Sequence, residues 1–539
     1  MRARVASILR FALATVAVGA ATTLVARAWL GPFSFGLSVR SPMNAESILA
    51  AASLLLLLLP DSRRSAAPES PDASSSRSSD ALALATLAIA ILACFWPSLS
   101  VGLLADDYAH LLNVSQADSS FFLNTFTVPA ADRFFRPLGM ISYLIDFQWA
   151  GFSPLRWHVA GLLWHLLNSM LVYLLCRALS LPAPWALFGA AFFALHGSRP
   201  EAVTWVAARF DLLATCFVLV ALLIFLAYTR RPTRLRLALF LAATAAGLLS
   251  KESAYVLPLL LAVLLAFFPN LRNYAARRAA VACAVLTAAV FCYRWTLLNG
   301  IGGYEDPSGR PTILLLNAWL LFKALALRLW AVLLFPINWT DPLDWPIKVT
   351  LSLMVLAIVV LALRKAPSRL AAAGLALALV AALPVYHLLQ IGPDLEKSRV
   401  IYLSSAAFAF SLAAILQHAH RPVAVVLAVA ILAFQAVALN RNLQTWNRVA
   451  ELHAQACDAI ASEVRTAGTD VLAVGMPITH DGVYMLKTGL PECIEIRHRI
   501  PARRLRNVPA LPEPAHPHAR LPAFEWNAQT AAIQRVSGR

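Results

Sequence analysis

Two adjacent carboxylates, Asp106 and Asp107, close an apolar run in SLSVGLLADDYAHLLN. At a water–lipid boundary a carboxylate can be desolvated on one side and reach substrate on the other. Adjacent carboxylates repel, so one of the two is disposed to hold a proton. That suits a general base acting on a hydroxyl. The pair could equally share a divalent cation through its oxygens, or form an acidic cap at a helix start. Arg136, before Pro137, could hold an anionic group. His158, His165 and Asn168 follow in one apolar run. Seven residues make two helical turns, so the two histidines share a face, with His165 roughly 10 Å deeper. Glu201, Trp205 and Arg209 recur at helical spacing and also share a face. They either neutralise one another or form a polar pocket wall. Lys251 and Glu252 are an ion pair set between two apolar runs. Arg399 precedes Tyr402 by about one turn, and arginine is suited to bidentate phosphate contact.

The chain that must position these groups has 539 residues, 60% hydrophobic and 14% charged, with a mean hydropathy of +0.68. Soluble domains carry about 25% charged residues. This composition excludes a soluble enzyme, a disordered chain and a coiled-coil rod. Thirteen apolar runs are candidate helices: 7–30, 45–60, 81–104, 157–179, 184–197, 203–228, 235–250, 253–268, 279–299, 347–363, 370–390, 400–417 and 422–440. The first is read as a retained anchor, not a cleaved leader. No repeat of 20–50 residues is present.

The net charge of +17 is read as Arg-rich cytoplasmic loops and not as a nucleic-acid signal. With a cytoplasmic N-terminus, the clusters at Arg2/Arg4/Arg10, Arg63/Arg64/Arg77, Arg230–Arg236, Arg272/Arg277/Arg278 and Arg364/Lys365/Arg369 fall on one side, provided 313–335 lies along the outer interface. The first outer loops then carry Asp106, Asp107, Asp118 and Asp132. Every polar cluster above falls on that outer side. Ionisable groups in lipid are costly and mark function. Segment 61–80, rich in Ser, Pro and Arg, reads as a disordered cytoplasmic linker. It separates two N-terminal helices (1–60) from a body at 81–440. The tail, 441–539, begins with a helical pattern at 441–465. β-like runs follow at Val471 and at Ile494, and the end reads as loosely ordered. It is expected to be a small extracytoplasmic α/β domain. Cys457 and Cys493 could pair there. The other five cysteines lie in apolar runs as small hydrophobes.

The ordered set resembles polytopic glycosyltransferases of the GT-C superfamily, closest to the tetratricopeptide-associated transmembrane O-mannosyltransferases and their bacterial relatives. The matching pieces are Asp106-Asp107 with Asn113, Phe135-Arg136-Pro137-Leu138, His158…His165…Asn168, His196…Glu201…Trp205…Arg209, Ser250-Lys251-Glu252, Leu383-Pro384, Arg399…Tyr402 and Trp446. They span about 95–450. Gly197 and Ala208 depart from the family pattern, and the two extra N-terminal helices are unusual for it.

The resemblance implies an all-α polytopic bundle of about 11 core helices plus those two. It implies an inverting transfer of a monosaccharide from a polyprenyl-phosphate-sugar donor to an acceptor hydroxyl at the outer face of the cell membrane. The acceptor would be a protein or an envelope glycan or lipid. Asp106 or Asp107 would be the base. Arg136, Arg209, Lys251 and Arg399 would contact phosphate. His158, His165, His196, Glu201, Glu252 and Tyr402 would line the pocket. No obligatory metal is expected. The competing reading is a polytopic transporter or lipid-linked glycan flippase, which would place its site near the midplane, often in repeated halves.

Overall fold

The computed structural model describes residues 2–35, 37–39, 41–59, 77–129, 133–363, 368–510 and 521–536. Each of the thirteen apolar runs coincides with a helix among these residues. A helix is the spanning form that satisfies every backbone group without water. α1 (Arg2–Leu30) and α2 (Met43–Leu58) are joined by the antiparallel strands β1 (Phe33–Phe35) and β2 (Leu37–Val39). α3 (Arg77–Phe95) follows. The linker expected at 61–80 lies outside the described residues up to 76. Its last four residues are the first turn of α3, where Asp80 accepts hydrogen bonds from Tyr173 and Arg177. Asp132, Arg63, Arg64, Arg364 and Lys365 also lie outside the described residues.

Three helices connect α3 to the next span: α4 (Asp106–Ser115), α5 (Phe121–Thr127) and α6 (Pro137–Ala150). The bundle continues with α7 (Pro154–Ala178), α8 (Ala183–Leu195), the short α9 (Arg199–Val203), α10 (Arg209–Arg230), α11 (Arg234–Leu248), α12 (Leu257–Phe267) and α13 (Tyr274–Leu298). α14 (Ala318–Phe322), a π-helical stretch at Lys323–Arg328 and α15 (Leu329–Leu334) make one helical run. Its start is exposed at Trp319 and its last turn is buried. α16 (Trp345–Leu363), α17 (Arg369–Ala382), α18 (Tyr402–Leu416) and α19 (Arg421–Ala467) complete the bundle. Among the described residues, nine helices are long and apolar enough to cross a membrane, and α2, α8 and the 252–267 segment are shorter apolar helices. The protein is therefore an all-helical polytopic membrane protein with a small sheet at its C-terminal end.

The tail differs from its expected outline in three places. α19 runs unbroken through 441, over 47 residues, or about 70 Å of helix, so the last span and the tail share one rigid rod. Ile494-Glu-Ile is not a strand. Leu490, Cys493 and Ile494 sit at i, i+3 and i+4 and are all buried, and they form one face of α20 (Leu490–His498). The end is ordered over 521–536. β7 (Ala523–Asn527) pairs antiparallel with β8 (Ala532–Val536), and β3 (Val471–Val474) lies parallel to both β6 (Leu505–Val508) and β7. A two-residue hairpin, β4 (Thr479–His480) and β5 (Val483–Tyr484), links β3 to α20.

The apolar interior has two main parts. One fills the helix bundle. The other joins Leu104, Tyr108, Tyr143, Trp157 and Trp205 to Trp446, Val449, Cys457, Met485 and Leu490. Tail and α4 thus share a core. Cys457 of α19 is disulfide-bonded to Cys493 of α20, which fixes α20 against the rod. Breaking it with Cys457→Ser should cost the tail about 2–4 kcal/mol. Limited proteolysis against temperature would show cleavage within 468–510 at a lower temperature than in wild type. Unchanged protection would contradict a tail held by this bond.

Candidate active site

The charged residues gather where helices begin on the tail side. Arg136 is the residue before α6, with Pro137 at the first helical position, and proline at that position keeps Arg136 out of the helical backbone region. Asp211 lies in the first turn of α10, Lys251 and Glu252 in the turn before α12, and Arg399 in the turn entering α18. Arg294 arrives from the opposite direction, near the end of α13.

Four of these cations line a cavity of about 260 Å³: Arg136, Lys251, Arg294 and Arg399. Three carboxylates oppose them. Glu252 accepts from Arg136 Nε and Nη2 at 3.0 and 2.7 Å and lies 3.6 Å from Arg294. Asp211 accepts from Lys251 Nζ at 2.5 Å and lies 3.9 Å from Arg399 Nε. Glu201 pairs with the Arg399 guanidinium and accepts from the Ser398 hydroxyl and the Arg399 backbone N–H at 3.1 and 3.2 Å. Four cations against three carboxylates leave one positive charge unmatched. The wall also carries the apolar side chains of Phe291, Ile301, Ile313, Leu314, Val385 and Leu388 beside the polar Ser253, Tyr255, Tyr304 and His387. Arg294 Nε, the Tyr255 hydroxyl and His387 Nδ1, all on wall residues, are buried without a hydrogen-bond partner.

Of the four residues expected to contact phosphate, Arg136, Lys251 and Arg399 line this cavity. Arg209 does not. It pairs with Asp146 and lies over the rings of Trp157 and Tyr143 at 4.9 and 5.2 Å. Of the six expected pocket residues, Glu252 lies on the wall. Glu201 stands behind Arg399. The histidines bind helices together. His158 donates to the Val101 carbonyl at 2.8 Å. His165 bridges Ala194 O at 3.0 Å and the Tyr402 hydroxyl at 2.7 Å. His196 bridges Leu333 O at 3.0 Å and the Ser198 hydroxyl at 2.8 Å. His158, His165, His196 and Tyr402 are almost fully buried and do not reach the cavity.

Asp106 and Asp107 have different surroundings. Asp107 is 1% exposed. Its Oδ2 accepts from the Leu104 N–H at 3.0 Å and its Oδ1 from the Ala207 N–H at 2.8 Å. Asp106 is half-buried at the start of α4. The residue before it, Ala105, has φ of 45°, an uncommon backbone state for a residue with a Cβ.

Asp106 does not itself line the cavity. One short turn, 205–210, joins the two. Asp107 holds its middle at Ala207. At its end, Phe210 lies against His110 of α4 (5.7 Å between centroids) and against the Arg136 guanidinium (5.2 Å). At its start, Trp205 lies under Arg399 at 4.8 Å and stacks on Tyr484 at 4.3 Å. The Trp205 Nε1–H is buried without an acceptor.

Tyr484 comes from the tail, and its hydroxyl accepts from Arg399 at 3.0 Å. Two glycines allow this docking. Gly482 (φ +79°) passes against the Asp394 carbonyl, and Gly489 (φ +73°) against that of Ala105. A Cβ at either would overlap the oxygen.

Sequence reasoning missed Arg294, Asp211 and Tyr484. Arg294 carried a signal, being an arginine inside the apolar run 279–299. Tyr484 carried none, because only the folded tail brings it to Arg399.

Burial pushes the Asp107 carboxyl up to about 8. The N–H groups of Leu104 and Ala207 pull against that shift, and the charge of Asp106 adds to it. The folded chain holds this proton more tightly than the unfolded chain. The resulting stabilisation is complete below about pH 4 and is lost as pH rises through about 8. The melting temperature should therefore fall between roughly pH 4 and 8 in wild type. Asp107→Asn should start lower, by about 1–3 kcal/mol, and lose this slope. Parallel profiles for the two proteins would contradict the assignment.

No family model matches the chain. Among curated proteins, it is 28% identical over 150 residues to human "Protein O-mannosyl-transferase TMTC3", covering 26% of this chain and 16% of that protein. It is 31% identical over 176 residues to Drosophila melanogaster "Protein O-mannosyl-transferase Tmtc2", covering 31% and 19%. The chain thus spans less than a fifth of the length of these relatives. Among solved structures, ArnT from Cupriavidus metallidurans, bound to undecaprenyl phosphate, aligns over 84% of this chain and 94% of its own at 14% identity, with a TM-score of 0.37. A likeness that low carries no argument. The curated matches are transferases of the kind that the ordered motifs resemble.

Proposed function

We propose that this chain is a membrane glycosyltransferase that moves a monosaccharide from a polyprenyl-phosphate donor to an acceptor hydroxyl on the tail side of the membrane. The observation that carries the reading is one cavity lined by four cations and by apolar side chains, with one uncompensated positive charge. A lipid phosphodiester has that profile, with a single negative charge at the head of a hydrocarbon chain. Arg136, Arg294, Lys251 and Arg399 face the phosphate, and the isoprenoid runs along Phe291, Ile313, Leu314 and Leu388. The similarity to protein O-mannosyl-transferases supports the transfer chemistry. The Cys457–Cys493 disulfide fits an extracytoplasmic tail, since disulfides persist in oxidising compartments. The Arg clusters between apolar runs support a cytoplasmic N-terminus on this reading.

Asp106 is the base. Asp107, with both oxygens held by backbone N–H groups, positions it. The sugar lies across the 205–210 turn, between Arg399 and α4, with the Trp205 Nε1–H free to donate to it. Asp106 takes the acceptor hydroxyl proton. The acceptor oxygen bonds to the anomeric carbon from the face opposite the phosphate, and the carbon–oxygen bond to phosphate breaks with its electrons on the leaving oxygen. The configuration inverts. Charge grows on the phosphate as that bond breaks, and fixed cations stabilise it most at that point.

Transfer from a panel of polyprenyl-phosphate sugars by the purified chain tests the reading. Asp106→Asn should lower the rate by about 10²- to 10⁴-fold at an unchanged melting temperature. Arg294→Gln, which leaves Glu252 its bond to Arg136, should weaken donor binding by about 1.5–3 kcal/mol. Transfer that survives both substitutions would sink the proposal.

A further inference from the structure

A second cavity, of about 320 Å³, lies between the tail-side end of α1 and the segment leading into α16. It shares no lining residue with the first. Its charged wall residues are Arg27, Lys348 and Asp341. Asp341 Oδ2 accepts from Arg448 at 2.8 Å, a guanidinium that it shares with Asp481 at 2.7 Å, so the wall carries two cations against one partly matched carboxylate. Among the described residues, neither Arg27 nor Lys348 has a carboxylate partner. Each instead faces an indole ring, Arg27 over Trp339 and Lys348 over Trp29, both at 5.9 Å. Arg27 Nε is buried without an acceptor.

Both indoles are fixed. Trp29 Nε1 donates to Ser352 at 3.1 Å, and Trp339 Nε1 donates to Glu46 at 3.0 Å. Trp29 is still 44% exposed, beside Leu30 at 77%. Fixed indoles at the end of an apolar span mark the headgroup level of a bilayer. Two unpaired cations at that depth, beside an exposed apolar rim, match a phosphate with acyl chains below it. We propose that this cavity binds the phosphate headgroup of an anionic membrane phospholipid, with Arg27 and Lys348 as its cationic contacts. The site is built on the end of α1 and the segment 339–348, and gives α1 a role of its own. It does not depend on the transfer reaction.

The test is the thermal stability and native mass spectrum of the purified full-length chain, titrated with phosphatidylglycerol, phosphatidylcholine or inorganic phosphate. Phosphatidylglycerol should give a saturable rise in melting temperature and a retained one-lipid adduct. Phosphatidylcholine should bind at least tenfold more weakly. The double variant Arg27→Gln/Lys348→Gln should lose at least tenfold in phosphatidylglycerol affinity, and Lys348→Arg should keep it. The charge-matched control Arg499→Gln/Arg506→Gln, on the exposed tail, should behave as wild type. If the double variant does not fold, Lys348→Gln alone should show a smaller loss of the same sign. Equal responses to both lipids, full binding by the glutamine variants, or a response to inorganic phosphate without one to phosphatidylglycerol would overturn the proposal.

Discussion

Seven charged side chains meet at one end of an apolar bundle, and the bundle has to satisfy them. An isolated ion costs several kcal/mol to bury, and removing one partner of a buried pair typically costs 3–5 kcal/mol. Glu201, Asp211 and Glu252 therefore cannot stand without Arg399, Lys251 and Arg136. Arg294, the fourth cation, shares Glu252 with Arg136. These pairs tie α6, α10, α12, α13 and α18 at their tail-side ends. The same arithmetic leaves one positive charge over. A self-contained structural network would have no use for that remainder. In a cavity with apolar walls it is an attraction for one anion with a hydrocarbon tail.

The second constraint is that a base must stand at a fixed place relative to that anion. The 205–210 turn does this by contact at three points: Ala207 to Asp107, Trp205 to Arg399 and Phe210 to Arg136. Asp107 fixes the first point with one backbone hydrogen bond, from Ala207, while its other oxygen holds Leu104, and the positive φ at Ala105 costs about 1–3 kcal/mol. The tail secures the arrangement from above. Its Gly489 seats against Ala105, next to Asp106, the proposed base, and its Tyr484 against Arg399. Both ends of the site thus lean on an element that the disulfide fastens to α19.

Much of this was legible in the sequence, and the limits follow physical lines. Apolar runs located the nine helices that are long and apolar enough to cross a membrane among the described residues, because composition alone decides what can sit in lipid. Charges in apolar surroundings located Arg136, Lys251, Glu252 and Arg399 for the same reason, and the rule extends to Arg294. Polarity could not separate function from fastening. His158, His165 and His196 satisfy carbonyls between helices, a role that leaves the same trace in sequence as a pocket residue. Nor could it separate Asp106 from Asp107, which differ in where the chain turns and not in type. The tail was read less well. A strand and a helix of nine residues both show a short apolar pattern, and Ile494 fits either until Cys493 and Leu490 are seen to share its face.

The most direct test is an experimental structure of the chain with a polyprenyl phosphate bound. The account predicts the phosphate within about 3 Å of nitrogens from Arg136 and Arg294. The isoprenoid should run past Phe291 and Leu314, and Asp106 should stand across the 205–210 turn from the phosphate. A phosphate seated elsewhere, or a bound lipid that leaves the four cations facing solvent, would contradict it.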